Sequence, residues 1–192
     1  MIRVERVARP QGFEEAERAG KLWLASHPTG RPPDKWSKFR GHLADGFRDL
    51  CGYSAMYDAV GTVDHFVSCD EDRGRAYDWD NYRYIAGWLN SSKKALPSTE
   101  VLDPYEVGDD WFEILLPSLE LVLTAAVPDA ARPRAERVLT RLHLGHDERV
   151  MRQRRSWYRR YTAGKISLEI LAEFAPLIAR AVAKQRGVPL TH

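Results

Sequence analysis

Cysteine is scarce: the 192 residues hold two, Cys51 and Cys69, too few for a disulfide scaffold and in keeping with a reducing cytoplasm. No amino-terminal stretch has the basic start and apolar run of a signal peptide. Long hydrophobic runs are missing as well. The longest, Ile114 to Val127, is interrupted by Pro117, Ser118 and Glu120 and falls short of the roughly 20 residues that cross a bilayer. No membrane partner is expected. The chain also lacks a charge of one dominant sign, with a formal net charge of +2 and 29% charged residues, so composition alone does not announce a nucleic-acid binder. Internal repeats and low-complexity tails are absent too.

What is present is a 44% hydrophobic composition, enough for one domain over 1–192 with its own core. The small net charge hides opposed blocks: residues 97–129 carry eight acidic side chains and no Lys or Arg, whereas 130–165 carry eleven basic and three acidic ones. Three segments follow. Residues 1–50 read as an N-terminal helical segment: a β-like start over Met1 to Val7, a helix from Phe13 to Ala25, the loop "SHPTGRPPD", and a second helix from Asp34 with Trp36, Phe39, Leu43, Phe47 and Leu50 as its apolar stripe. Residues 51–96 switch to short β-prone pieces (Tyr53 to Tyr57, Gly61 to Val67, Tyr82 to Ala86) around the charged loop "DEDRGRAYDWDN", then a short helix over Leu89 to Ala95. Residues 97–192 read as an irregular acidic connector followed by helices over Arg134 to Leu142, Asp147 to Tyr161 and Ser167 to Lys184, the last capped by Ser167. The fold class expected is α+β, mostly helical.

One constellation carries chemistry. Asp64 and His65 end a β-prone run, Asn81 follows sixteen residues after His65, and Asn90 nine residues later opens a helix. Strand, loop, strand and helix in that order, with Asp-His, Asn and Asn at those places, resemble the HNH nucleases and their ββα-metal (His-Me finger) element in its His-Asn-Asn version. An aromatic residue before the middle asparagine ("YDWDN") and Lys93 three residues after Asn90 add to the likeness. More weakly, "DDWFEILLPSLELV" and "ERVMRQRRSWYRRY" are similar to the later parts of small bacterial phage-defence HNH proteins.

The resemblance implies a metal-dependent endonuclease acting on DNA. His65 would be the general base, since its ordinary pKa of about 6.5 lies near working pH. Asp64, on the other side of the strand, would hold Mg²⁺ or Mn²⁺ together with Asn90, and Asn81 would brace the loop. A homodimer or an ATPase partner is a further implication, by analogy of fold. Many HNH proteins of this type bind a structural zinc through two Cys-x-x-Cys pairs. Here those places read Cys51, Ser54, Ala86 and Leu89, so no structural zinc is expected, and Tyr53, Met56, Ala86, Trp88 and Leu89 are expected to pack instead.

Arg73, Arg75, Lys93 and Lys94 lie near the motif and are expected to hold substrate backbone. Arg152, Arg155 and Arg159 recur on one face of a helix and suit phosphate neutralisation; the same face also suits a solvated helix paired with the acidic block at 100–113. Two rival readings stay open: a catalytically degenerate module that binds nucleic acid or protein, and an RNase or toxin, because the chemistry at phosphorus is shared. Taken singly, each motif residue also fits a polar loop pinned by aromatic side chains.

Overall fold

A computed structural model describes residues 1–94 and 96–190. The described residues form an α+β fold of seven α-helices and two small antiparallel sheets. Helices α1 (Phe13–Ser26) and α2 (Arg40–Gly46) come first. Strands β1 (Thr62–His65) and β2 (Tyr82–Ile85) pair antiparallel, with Asp64 opposite Arg83 and His65 opposite Tyr82, and α3 (Gly87–Lys93) follows directly. A second hairpin, β3 (Phe112–Leu115) and β4 (Glu120–Leu123), leads into α4 (Arg132–Arg141), α5 (Glu148–Thr162), α6 (Leu168–Phe174) and α7 (Pro176–Arg186).

The β1–β2 hairpin is sandwiched between two cores. Tyr82 and Tyr84 face an aromatic cluster with Phe13, Leu43, Phe47 and Trp79, while Ile85, Ala86 and Leu89 enter a larger core with the second hairpin and the C-terminal helices. Because both faces are covered, β2 is buried at every position. Its alternation is therefore aromatic against mixed, not apolar against polar.

Several expectations are corrected. Met1 to Val7 forms no strand: its backbone is tied by Val4 N–H to the Pro104 carbonyl, 3.1 Å away. Asp34 does accept from Ser37 N–H at 2.9 Å, but the helix it starts closes early, because Arg48 and Asp49 take positive φ. Tyr53 to Tyr57 is not a strand; only an isolated bridge joins Leu50 to Tyr57. Between the acidic connector and the first expected helix lies the β3–β4 hairpin, which no expected element covers. The expected helix over Ser167 to Lys184 is split at Ala175, which precedes Pro176 and is held at φ −149° and ψ 63°, since the proline ring excludes the helical conformation from its predecessor. Helix α3 starts at Gly87, two residues early, and Ala95 at its expected end lies outside the described residues. Helices α4 and α5 lie where expected, and Ser167 caps α6 by accepting from Ile170 N–H.

The N-terminal arm is fixed to the hairpin by a close contact at Gly20, where an added Cβ would overlap the Tyr77 ring. Gly20→Ala is therefore expected to lower stability by about 1–3 kcal/mol despite its better helix propensity, read as a fall in urea midpoint at unchanged slope. Among the described residues no helix is long and apolar enough to cross a membrane.

Candidate active site

The strand β1 sends its side chains to two sides. Thr62 and Asp64 face α3: Asn90 Nδ2 donates to Thr62 Oγ1 at 3.1 Å and to the Val63 carbonyl at 3.3 Å, and Lys93 Nζ reaches Asp64 Oδ1 at 3.2 Å. His65 faces the opposite way, towards Trp36 of the N-terminal arm and Tyr82. The structure thus brings Asp64 and His65 of β1, Asn81 at the head of β2 and Asn90 of α3 onto three adjoining elements.

His65 is pinned as one tautomer. Its Nε2 lies 2.9 Å from the Ala76 carbonyl, which also accepts from the Tyr82 hydroxyl at 2.8 Å. A carbonyl only accepts, so Nε2 carries the proton and Nδ1 keeps the lone pair. Burial depresses the His65 pKa, against the opposing pull of the Ala76 hydrogen bond, and so favours the neutral ring. A neutral imidazole with a free Nδ1 is a proton acceptor.

Asn81 is fully buried and braces the loop between the strands. Its Oδ1 accepts from Val67 N–H at 2.8 Å, and its Nδ2 donates to the carbonyls of Val67 at 2.9 Å and Arg75 at 3.1 Å. The short helical turn it ends, Trp79–Asn81, is capped by the Asp78 side chain. Asn81→Ala strands those three backbone groups and is expected to cost about 2–4 kcal/mol, with faster proteolytic nicking between residues 68 and 80 as the accompanying readout.

Asp64 is 3% exposed, and its Oδ2 is a buried oxygen with no hydrogen-bond partner. Burial raises its pKa to about 6, opposed by Lys93. The Tyr53 hydroxyl is likewise buried and unpartnered, and its pKa is pushed up by burial first and by the charge of Asp64 second. Among the described residues no three His, Cys, Asp or Glu side chains are placed to hold a metal by themselves. The partnerless Asp64 Oδ2 and the amide oxygen of Asn90, whose nitrogen is already used, are donors of the kind that a hard cation such as Mg²⁺ takes while drawing most of its ligands from water and substrate.

The expected backbone-holding residues divide. Lys93 is corrected: it is 1% exposed and donates to Asp64 and to the carbonyls of His65 at 2.9 Å and Phe66 at 3.2 Å, so it neutralises a buried carboxylate and does not face substrate. Arg73 is spent on the carbonyls of His27, Thr29 and Gly30, and Arg75 pairs with Asp78 at 3.3 Å. Lys94 is exposed. On α5, Arg152, Arg155 and Arg159 are all exposed, and Arg155 pairs with Glu148 on its own helix. The acidic block finds other partners: Glu100 with Arg137, Asp103 with Arg83, Glu106 with Arg6, Asp109 with Arg180 and Glu113 with Lys184.

At the four places where HNH nucleases often carry zinc cysteines, Cys51 Sγ accepts from Ala86 N–H at 3.3 Å, and Ser54, Ala86 and Leu89 are buried. Tyr53, Met56, Ala86 and Leu89 share one apolar cluster, with Trp88 packed against it. The sequence pattern gives no site role to Trp36 or Arg31, which line an open cleft of about 830 Å³ with His65, Cys69, Asp70 and Glu71. The chain matches no protein-family model and no curated protein, so the reading of this site rests on its own geometry and chemistry.

Proposed function

We propose that the chain is a metal-dependent endonuclease of the HNH type acting on DNA. The observation that carries the reading is the division of labour across β1: a neutral histidine with a free Nδ1 faces an open cleft, while a buried carboxylate with an unpartnered oxygen faces the helix bearing Asn90. His65 Nδ1 takes the proton of an attacking water. Asn81 keeps the loop that presents the Ala76 carbonyl, and so holds the imidazole in plane. Asp64 and Asn90 would hold Mg²⁺ or Mn²⁺, which when bound supplies Lewis-acid stabilisation of the charge on the leaving oxygen. The exposed arginines of α5 add phosphate contacts without sequence preference.

A plasmid-nicking assay with Mg²⁺ or Mn²⁺ tests this, comparing wild type with His65→Ala. Cleavage that depends on metal and falls by about 10²-fold or more in the variant is expected. Equal activity in both proteins, or none, would sink the enzyme reading. Labelled RNA run beside DNA separates an RNase from a DNase at the same site.

One observation favours a second reading. Lys93 places an ammonium on Asp64 Oδ1, which supplies a positive charge without any metal, as in a degenerate module kept for binding. Under that reading the protein retains nucleic acid in a gel-shift assay, with affinity falling as salt rises, and cuts nothing.

A further inference from the structure

The cleft in front of His65 is not built by the hairpin and α3 alone. One wall is the N-terminal loop Pro28–Pro32 with Trp36, contributed from about thirty residues before the histidine. That loop is held in place by directed contacts. The Arg73 guanidinium gathers the carbonyls of His27, Thr29 and Gly30, the Tyr77 hydroxyl donates to the Pro33 carbonyl at 2.8 Å, and Asp34 accepts from the backbone of Trp36 at 3.2 Å and Ser37 at 2.9 Å. Trp36 then meets the His65 ring edge-on, with centroids 4.5 Å apart and planes at 86°, while Tyr82 meets it at 5.1 Å and 82°. The imidazole is therefore fixed by one hydrogen bond and two aromatic contacts, and of the three partners only Trp36 comes from outside the hairpin and its loop.

Charge in the cleft is mixed. Asp70 and Glu71 line it, and Glu71 is engaged by the Ser98 backbone and hydroxyl. An anionic strand entering here needs a cation on the opposite wall. Arg73 is committed to holding the loop, whereas Arg31 lines the cleft and is exposed. A guanidinium suits a phosphodiester because its fork matches two phosphate oxygens.

We propose that the N-terminal loop completes the site: Trp36 is a positioning residue that fixes the His65 ring plane, and Arg31 is the contact that receives the substrate phosphate. This rests on the nuclease reading for its kinetics, and its remaining readouts stand without it. In steady-state cleavage, Trp36→Ala is expected to lower kcat by about 10- to 100-fold with little change in KM, because loss of ring alignment affects the reacting geometry. Trp36→Phe, which keeps an aromatic edge, recovers most of it. Arg31→Ala is expected to raise KM about tenfold, the worth of one charge-assisted hydrogen bond, with kcat nearly unchanged.

Independently of turnover, nitrogen-15 NMR of His65 reports the tautomer. Wild type and Trp36→Phe show the Nε2-protonated form alone, and Trp36→Ala shows a mixture. A single tautomer with wild-type kcat in Trp36→Ala, or a Phe variant as impaired as Ala, overturns the role of Trp36. An unchanged KM in Arg31→Ala overturns that of Arg31. If wild type and His65→Ala are both inactive, the nuclease reading fails by itself. The loop is then judged by the tautomer signal and by binding of a short labelled DNA oligonucleotide, where equal affinity of wild type and Arg31→Ala rejects the phosphate contact.

Discussion

Replacing Arg83 with methionine is expected to lower the unfolding free energy by about 3–5 kcal/mol, the usual cost of breaking a buried ion pair from one side. Arg83 is 2% exposed and Asp103 5%. Nε meets Oδ1 at 2.6 Å and Nη2 meets Oδ2 at 2.5 Å, a two-pronged arrangement, while Nη1 donates to the carbonyls of Asp80 and Tyr82. The guanidinium also lies 3.9 Å from the centre of the Tyr105 ring. One side chain thus joins β2 to the acidic connector and satisfies the backbone next to Asn81. In the single variant Asp103 is left as a buried charge whose remaining partner is Tyr105 N–H at 3.0 Å. Asp103→Asn in the Arg83→Met background removes that charge and is expected to restore part of the loss, so a double-mutant cycle by urea unfolding gives a coupling of several kcal/mol. Additive losses would mean that the pair contributes packing alone.

The same pair shows what sequence reading captures and what it misses. The acidic block at 97–129 is obvious in the sequence, but its partners are scattered through the chain: Arg6, Arg83, Arg137, Arg180 and Lys184. On the basic α5, Arg149 and Arg155 pair instead with Asp147 and Glu148 at the start of the same helix. Local order was legible where it has local causes. The Asp64-His65 strand, the second strand and the helix with Asn90 follow from β-prone runs and a helix start, and the Ser167 cap from residue type. The β3–β4 hairpin was not, because two four-residue strands around Pro117 and Leu119 read as one apolar stretch, and Leu119 takes a positive φ of 65° with no glycine to announce it.

Trp36 was legible only as the first member of an apolar stripe. Phe39, Leu43 and Phe47 of that stripe join the aromatic core, while Trp36 sits before the helical turn and swings to His65. Its role depends on where the N-terminal arm docks, and that is set by Gly20 against Tyr77 and by Arg73 on the loop carbonyls. Lys93 was misread for a related reason. Three residues after Asn90 is one helical turn, which places both on the side of α3 that meets β1, and a charge there is buried only because Asp64 awaits it.

Lys93→Met makes that dependence measurable and is expected to destabilise the protein by about 3–5 kcal/mol near neutral pH. Its ammonium has three partners, Asp64 and two carbonyls, and its removal leaves the carboxylate of Asp64 buried with no counter-charge in contact. The pH dependence has a definite sign. Burial already raises the Asp64 pKa from 3.8 to about 6, so the unfolded chain gives up this proton first. The favourable contribution is fully present below pH 3.8, fades as pH rises and is gone above about 6, a change of about 3 kcal/mol. In Lys93→Met the folded pKa rises further, so stability keeps falling beyond pH 6, where the wild type has levelled off. The gap between the two proteins should therefore be smallest at acid pH, where the lost carbonyl contacts alone separate them, and widen between about pH 6 and 8 in thermal melts. Asp64→Asn placed on Lys93→Met removes the titrating group and is expected to flatten the difference. A Lys93→Met deficit that stays constant across this range would show that the lysine acts through its carbonyl contacts and not through Asp64. Millimolar Mg²⁺ gives the final discrimination: if Asp64 is a cation ligand, Mg²⁺ replaces the lost ammonium and raises the melting temperature of Lys93→Met more than that of the double variant.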